Sequence, residues 1–236
     1  SHPYVIEPPE TTKTHYQKDE NFNFSLLLFG RANDYLPYFI YAFENMGIMG
    51  IGRRIEGRRP GFILNRVSSG DSIVYSRNDN MIRKGISPED LVVEQPDEKH
   101  KAVKSLELTL ETPLRLKFEN SLNADLPFHV LVRAILRRIS SLNNYHGNGE
   151  PSLDYRGLVK RARTMEVIHS SINWFDWRRY SNRQDQAMLM GGMLGSLTYS
   201  GELGEFVPLI RFCEKTHVGK QTAFGLGKIK ITGIEQ

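Results

Sequence analysis

The residues best suited to chemistry lie near the C-terminus. His217 is followed by Gly219 and Lys220, and then by Thr222 and the run Gly225-Leu226-Gly227-Lys228. Pro208 near the first turn of the preceding segment and Gly219 just past its last mark a helix start and stop. That places His217 in the final helical turn, where the macrodipole favours an imidazolium. Gly225 and Gly227 permit positive φ or close approach to a ligand. Amides on such a loop, with Lys220, Lys228 and Lys230 beside it, suit a phosphate. Gly219, Lys220, Thr222, Gly225, Gly227 and Lys228 are therefore the candidate phosphate contacts. His217 is the candidate acid for phosphodiester chemistry. The same residues also read as a helix cap and a turn, with His217 at the surface.

Several nucleotide sites are excluded. A P-loop would need glycine at Thr222 and Ser or Thr at Ile229. A dinucleotide fingerprint follows a strand and opens a helix, whereas this loop follows a helix and opens a strand. The RNP1 signature is absent. No Asp/Glu/His set has metal-ligand spacing, no G-x-S-x-G elbow occurs, and Cys213 is the only cysteine. No metal and no cofactor are expected.

A second group mixes aromatics with arginine: Trp174, Phe175, Trp177, Arg178, Arg179, Tyr180 and Arg183. Aromatic rings stack on unpaired bases and arginines bind phosphate, so this stretch suits RNA. The alternative is that Trp174 and Phe175 are core and the arginines solvated. His129, His146 and His169 are expected to be packed or surface residues.

The elements that must hold these residues follow from patterning. The 236 residues allow one large or two small domains. No signal peptide or span-length apolar run is visible, so an intracellular, cytoplasmic protein is the default, with no membrane partner. Charge is uneven: residues 1–100 hold 12 Lys+Arg against 14 Asp+Glu, and residues 101–236 hold 19 against 13. The basic half also carries the glycine loop, which fits a polyanion surface. From Leu106 to Phe118 leucines alternate with polar residues, as in a half-buried strand, with Pro113 marking a break or an edge. Asp125 can cap a helix whose buried stripe is Phe128, Leu131, Ile135, Ile139 and Leu142. Arg133, Arg137 and Arg138 lie largely off that stripe. Residues 164–180 and 187–200 read as paired strands. The order is strand, helix, two strands, helix, strand: a ferredoxin-like βαββαβ unit over 104–236.

Residues 1–103 echo part of that unit. Gly30 and Gly201, and Pro37 and Pro208, share an offset of 171. Each pair lies in the order strand, Gly, Pro, helix, Gly, G-x-G, strand, as expected of a duplication. Asn33 or Asp34 can cap the first of these helices and Gly47 can close it. A basic run, Arg53, Arg54, Arg58 and Arg59, follows, and then a strand near Phe62–Val67. Residues 1–20 read as an extended lead-in and 69–104 as a connection with a short strand at Ile73–Tyr75. Only 29 residues precede Gly30, so the first domain is expected to lack its N-terminal half, with Asn21–Gly30 and Phe62–Val67 in one incomplete sheet. The fold class is α+β, with tandem ferredoxin-like domains, the first incomplete.

The chain resembles the RAMP superfamily, specifically the CRISPR precursor-RNA processing endoribonucleases, the sixth Cas family. The resemblance lies in Leu28–Ala32, Tyr35–Phe39, Thr112–Lys117, Leu131–Arg138, His217–Lys220 and Phe224–Gly227. It implies tandem ferredoxin-like domains and metal-independent cleavage of CRISPR repeat RNA. The 2′-hydroxyl would attack its own phosphate, leaving a 2′,3′-cyclic phosphate and a 5′-hydroxyl. It also implies a catalytic histidine in the first domain's N-terminal half, the part expected to be missing; family active sites vary in position, and His217 stands as a candidate from its own surroundings, not by transfer. Expected partners are CRISPR repeat RNA and other Cas proteins, and a homodimer stays open. Two other functions also stay open: a non-catalytic RAMP subunit holding guide RNA, and a ferredoxin-like enzyme binding a phosphorylated small molecule.

Overall fold

The structure, a computed structural model, describes all residues except 1, 10, 12, 14, 84–86, 117–124 and 182–185. It also leaves out the side chains of Lys101, of residues 178–181 and of residues 186–189. The chain divides into two compact units, one of residues 1–29 with 91–236 and one of residues 30–90.

In chain order the strands and helices are β1 (Tyr4–Glu7), β2 (Ser25–Leu28), α1 (Leu36–Met49), β3 (Arg66–Ser69), β4 (Ser72–Ser76), β5 (Met81–Ile82) and α2 (Glu98–Lys101). Then follow β6 (Ser105–Leu114), α3 (Phe128–His146), α4 (Tyr155–Ala162), β7 (Glu166–Ser170), β8 (Asn173–Phe175), β9 (Arg178–Ser181) and β10 (Gln186–Leu189). The last elements are β11 (Gly192–Ser200), α5 (Val207–Thr216) and β12 (Ile229–Glu235).

The larger unit is built on an antiparallel sheet of order β12-β6-β11-β7. That is the ferredoxin-like order, reached through the helix crossovers α3 and α5. The leucine alternation of β6 produces it: Leu106, Leu108, Leu110 and Leu114 are buried, and Glu107, Thr109 and Glu111 are not. All five stripe residues of α3 are buried against it, with α5 packed alongside. Phe128 meets Tyr199 and Phe206 ring to ring, at centroid distances of 4.6 and 5.0 Å. Two details differ from the sequence reading. The N-cap of α3 is Pro127, with no side-chain cap, and an additional helix, α4, begins at the Asp154 cap. Arg138 is buried: its guanidinium donates to the Thr216 carbonyl and lies over the Phe29 ring. It thereby serves the carbonyl end of α5. Desolvation lowers its pKa to about 10.

Strands β7 to β11 form one long antiparallel ribbon. β11 pairs with β7 and then β8, and β9–β10 continue the ribbon beyond the four-stranded sheet. In the same unit, β1 and β2 pair in a two-stranded ribbon with Val5 fully buried.

In residues 30–90, α1 runs past the expected stop at Gly47 to Gly50, and Tyr35, which makes no side-chain cap, precedes it. Gly47 is instead a contact point. The Phe62 amide donates to its carbonyl, and a Cβ there would lie 2.2 Å from the Phe62 oxygen. β3, β4 and β5 form a three-stranded meander. The buried Tyr75 of β4 donates to Glu44 of α1 at 2.5 Å, and that carboxylate raises the Tyr75 pKa. The strand at 25–28 pairs with β1 and the strand at 66–69 with β4, so the expected shared sheet is not formed. The 171-residue echo is real locally. Gly30 and Gly201 both have positive φ, and both helices carry a proline at their start.

Candidate nucleic-acid interface

β6 does not end cleanly. Its register with β11 is interrupted between Met193 and Gly195, and Thr112 and Pro113 stand at the irregularity. The glycine loop is clasped there. The Thr112 hydroxyl donates to the Gly225 carbonyl and accepts from the Lys228 amide, both at 2.8 Å. The Gly227 amide donates to the Pro113 carbonyl at 3.2 Å, and the Lys220 amide to the Arg115 carbonyl at 3.1 Å. Across the loop, the Val218 amide donates to Gly227 at 2.9 Å and the Gly225 amide to Thr222 at 2.8 Å.

This changes the expected chemistry. The amides of Lys220, Gly225, Gly227 and Lys228 each donate to a protein carbonyl or hydroxyl. The glycines are needed for packing. Gly227 has φ +74, and a Cβ on it would lie 1.8 Å from the Val218 oxygen. A Cβ on Gly225 would meet the Ile6 carbonyl and Pro8 of the N-terminal ribbon at 2.8 Å. Gly219 lies against Arg115, and Thr222 is buried.

His217 is the C-cap of α5 and has no exposed surface. Its backbone, at φ 59 and ψ 164, lies in a region that is nearly glycine-only. Nδ1 lies 3.1 Å from the Leu226 carbonyl and Nε2 lies 2.9 Å from Glu7 Oε1. Both ring nitrogens thus face oxygen atoms of the protein. The hydrogen bond from His217, followed by the charge of Lys228, holds the Glu7 carboxyl below its ordinary range. Lys228 Nζ stands 3.3 Å from Glu7 Oε1 and 3.9 Å from Glu111 Oε2, so its charge is shared with two carboxylates. The sequence reading missed Glu7. Pro3, Pro8 and Pro9 masked a strand that its Tyr4-Val5-Ile6 run could have revealed.

Lys220, Phe224 and Lys230 remain at the surface of this region. On the ribbon, Phe175 is half exposed, while Trp174 packs on the core and donates to Asp176. Arg178 and Arg179 lie on β9, opposite Leu189 and Met188, and their side chains are outside the described part. Arg183 lies outside the described residues. Among the described residues, no group of three or more His, Cys, Asp and Glu side chains gathers in a way that could hold a metal, and no helix is long and apolar enough to cross a membrane.

Known proteins match this architecture. A Cas6 (TTHA0078) product complex is similar with a TM-score of 0.52 at 14% identity, covering 99% of this chain and 83% of that one. A product complex of Cas6 (TTHB231), from Thermus thermophilus, gives 0.53 at 13% identity, covering 97% and 82%. A partial Cas6-RT-Cas1–Cas2 complex gives 0.58 at 16% identity, covering 98% of this chain and 39% of that one. No curated protein matches the chain. Residues 1–87 match a family model described as an N-terminal domain, and the expectation of a half-missing first domain gives way to that match. Residues 108–229, running from β6 through the clasped loop to the first residue of β12, match the model of the CRISPR-associated endoribonuclease Cas6. The chain belongs to the Cas6 endoribonuclease family.

Proposed function

We propose that this chain binds CRISPR repeat RNA and cleaves it without a metal. The ribose 2′-hydroxyl loses its proton and attacks the adjacent phosphorus. The bond to the 5′-oxygen breaks, and that oxygen takes up a proton. The products are a 2′,3′-cyclic phosphate and a 5′-hydroxyl, and catalysis rests on proton transfer and charge stabilisation. The observation that carries this reading is the Cas6 model's match across residues 108–229.

In this reading Lys220, the β9 arginines Arg178 and Arg179, and Arg183, which lies outside the described residues, supply positive charge to the RNA, and exposed Phe224 offers a ring to a base. Gly219, Thr222, Gly225 and Gly227 shape the loop. Lys228 and His217 brace it from beneath through Glu7. The Cas6-RT-Cas1–Cas2 structures support other Cas proteins as further partners, to be tested by co-purification.

The burial of His217 favours a second reading, an RNA-holding subunit that does not cut. Incubation with a repeat stem-loop RNA in EDTA separates the two. Scission supports the nuclease, and retention of intact RNA supports the holding subunit. Displacement by a mononucleotide without RNA binding would overturn both.

A further inference from the structure

The basic run in residues 30–90 is not used by the site described above. Between Glu44 and Asp71 the only acidic residue is Glu56, against Arg53, Arg54, Arg58, Arg59 and Arg66. The fold gives this run a defined shape. Ile55 and Arg58 form an antiparallel bridge, with reciprocal backbone bonds of 2.8 and 3.0 Å. Glu56 and Gly57 between them both have positive φ, at 50 and 81, as a two-residue type I′ hairpin turn requires. The base of the hairpin is fixed to the end of α1. The Ile51 amide donates to Pro60 at 2.9 Å, and Gly50, at φ +77, lies so close that a Cβ would fall 2.5 Å from the Arg59 carbonyl.

Arg53, Arg54 and Arg58 project from this support. All three are exposed, and among the described residues no carboxylate pairs with them. Some arginines elsewhere are engaged, as Arg161 is with Glu205 and Asp154, Arg83 with Asp79 and Arg138 with Thr216; Arg53, Arg54 and Arg58 are set apart by lying within six residues of one another. Three exposed guanidiniums on and beside one tight turn repel each other, and an anionic partner relieves that repulsion. A turn anchored at its base presents them with little ordering cost on binding.

We propose that the Arg53–Arg58 hairpin is a second RNA contact, gripping the phosphate backbone independently of base sequence. This rests on the reading of the chain as an RNA-binding protein. Guanidiniums match phosphate oxygens two at a time, and the turn carries no aromatic side chain with which to read bases.

The test uses the full chain and two probes, a repeat-derived stem-loop RNA and oligouridylate, titrated over a range of salt. The R53A/R54A/R58A variant is expected to bind both probes about tenfold or more weakly. Its slope of log K against log salt should fall by roughly two to three, about 0.7–0.9 for each phosphate contact. The R53K/R54K/R58K variant keeps the charge and should recover most of the slope. A thermal melt matching the wild type shows that the fold is intact. Wild-type binding with unchanged affinity and slope in the alanine variant overturns the hairpin contact alone. A wild-type chain that binds neither probe overturns the RNA reading and the hairpin with it.

Discussion

Glu7 and His217 stand 210 residues apart in the chain, yet Glu7 Oε1 lies 2.9 Å from His217 Nε2. Through this pair the first strand of the protein is tied to the last helix and to the loop behind it. The carboxylate is ionised and largely buried, its partner has no exposed surface, and Lys228 stands 3.3 Å from the same oxygen. A hydrogen bond to a charged carboxylate contributes about 1.5–3 kcal/mol.

The pair sets a pH dependence. The Glu7 carboxyl is held below its ordinary value of 4.5 by the His217 hydrogen bond. Its contribution is therefore fully present above 4.5 and is lost as pH falls through the lower folded-state value. Thermal melts of the wild type should lose stability across that interval, and Glu7→Gln should show a flatter profile there. Parallel profiles for the two proteins would show that the pair contributes nothing.

His217 has two structural tasks, and two variants separate them. Alanine removes the ring and keeps a Cβ at φ 59, while glycine removes the ring and relieves the backbone. Both should be less stable than the wild type, with His217→Gly the more stable of the two by about 1 kcal/mol. Melting temperatures report this directly. RNA affinity should fall together with stability in His217→Ala. Slower cleavage at unchanged affinity and stability would instead mark His217 as a proton donor.

The glycine loop makes a comparison of two alanines. Gly227→Ala drives a Cβ to 1.8 Å from the Val218 oxygen at φ +74 and should cost more than about 4 kcal/mol, with loss of soluble protein. Gly52→Ala, at φ +79 with nothing within 4 Å of the new atom, should cost only about 1 kcal/mol. Denaturant titration of the two variants checks the contrast.

Lys220 and Lys228 were equivalent in the sequence and are not equivalent in the structure. Lys220 is exposed, and Lys228 shares its charge with Glu7 and Glu111. Lys220→Ala should lower the salt slope of RNA binding by slightly less than about one at unchanged stability. Lys228→Ala should act mainly on stability. Equal slopes for Lys220→Ala and wild type would remove Lys220 from the RNA contacts.

What could be read in advance follows the range of the forces involved. The leucine alternation of β6 and the Phe128-to-Leu142 stripe of α3 are local signals, and both elements form with those residues buried. The proline–glycine punctuation around α5 located the helix within a residue or two. Missed features depended on partners far away in sequence. Nothing near Gly225 reveals that Thr112 and Pro113 consume the loop's hydrogen-bonding groups. Nothing near His217 reveals a carboxylate at position 7. Arg138 is buried beside the apolar stripe because its partner is the carbonyl end of another helix, which no local pattern announces.

End-group analysis of cleavage tests the central claim most directly. Labelled repeat stem-loop RNA is incubated with the full chain in excess EDTA. The expected products carry a 5′-hydroxyl and a 2′,3′-cyclic phosphate that opens only on acid treatment. Intact RNA in EDTA, or scission that needs Mg²⁺ and leaves a 5′-phosphate, would contradict the account.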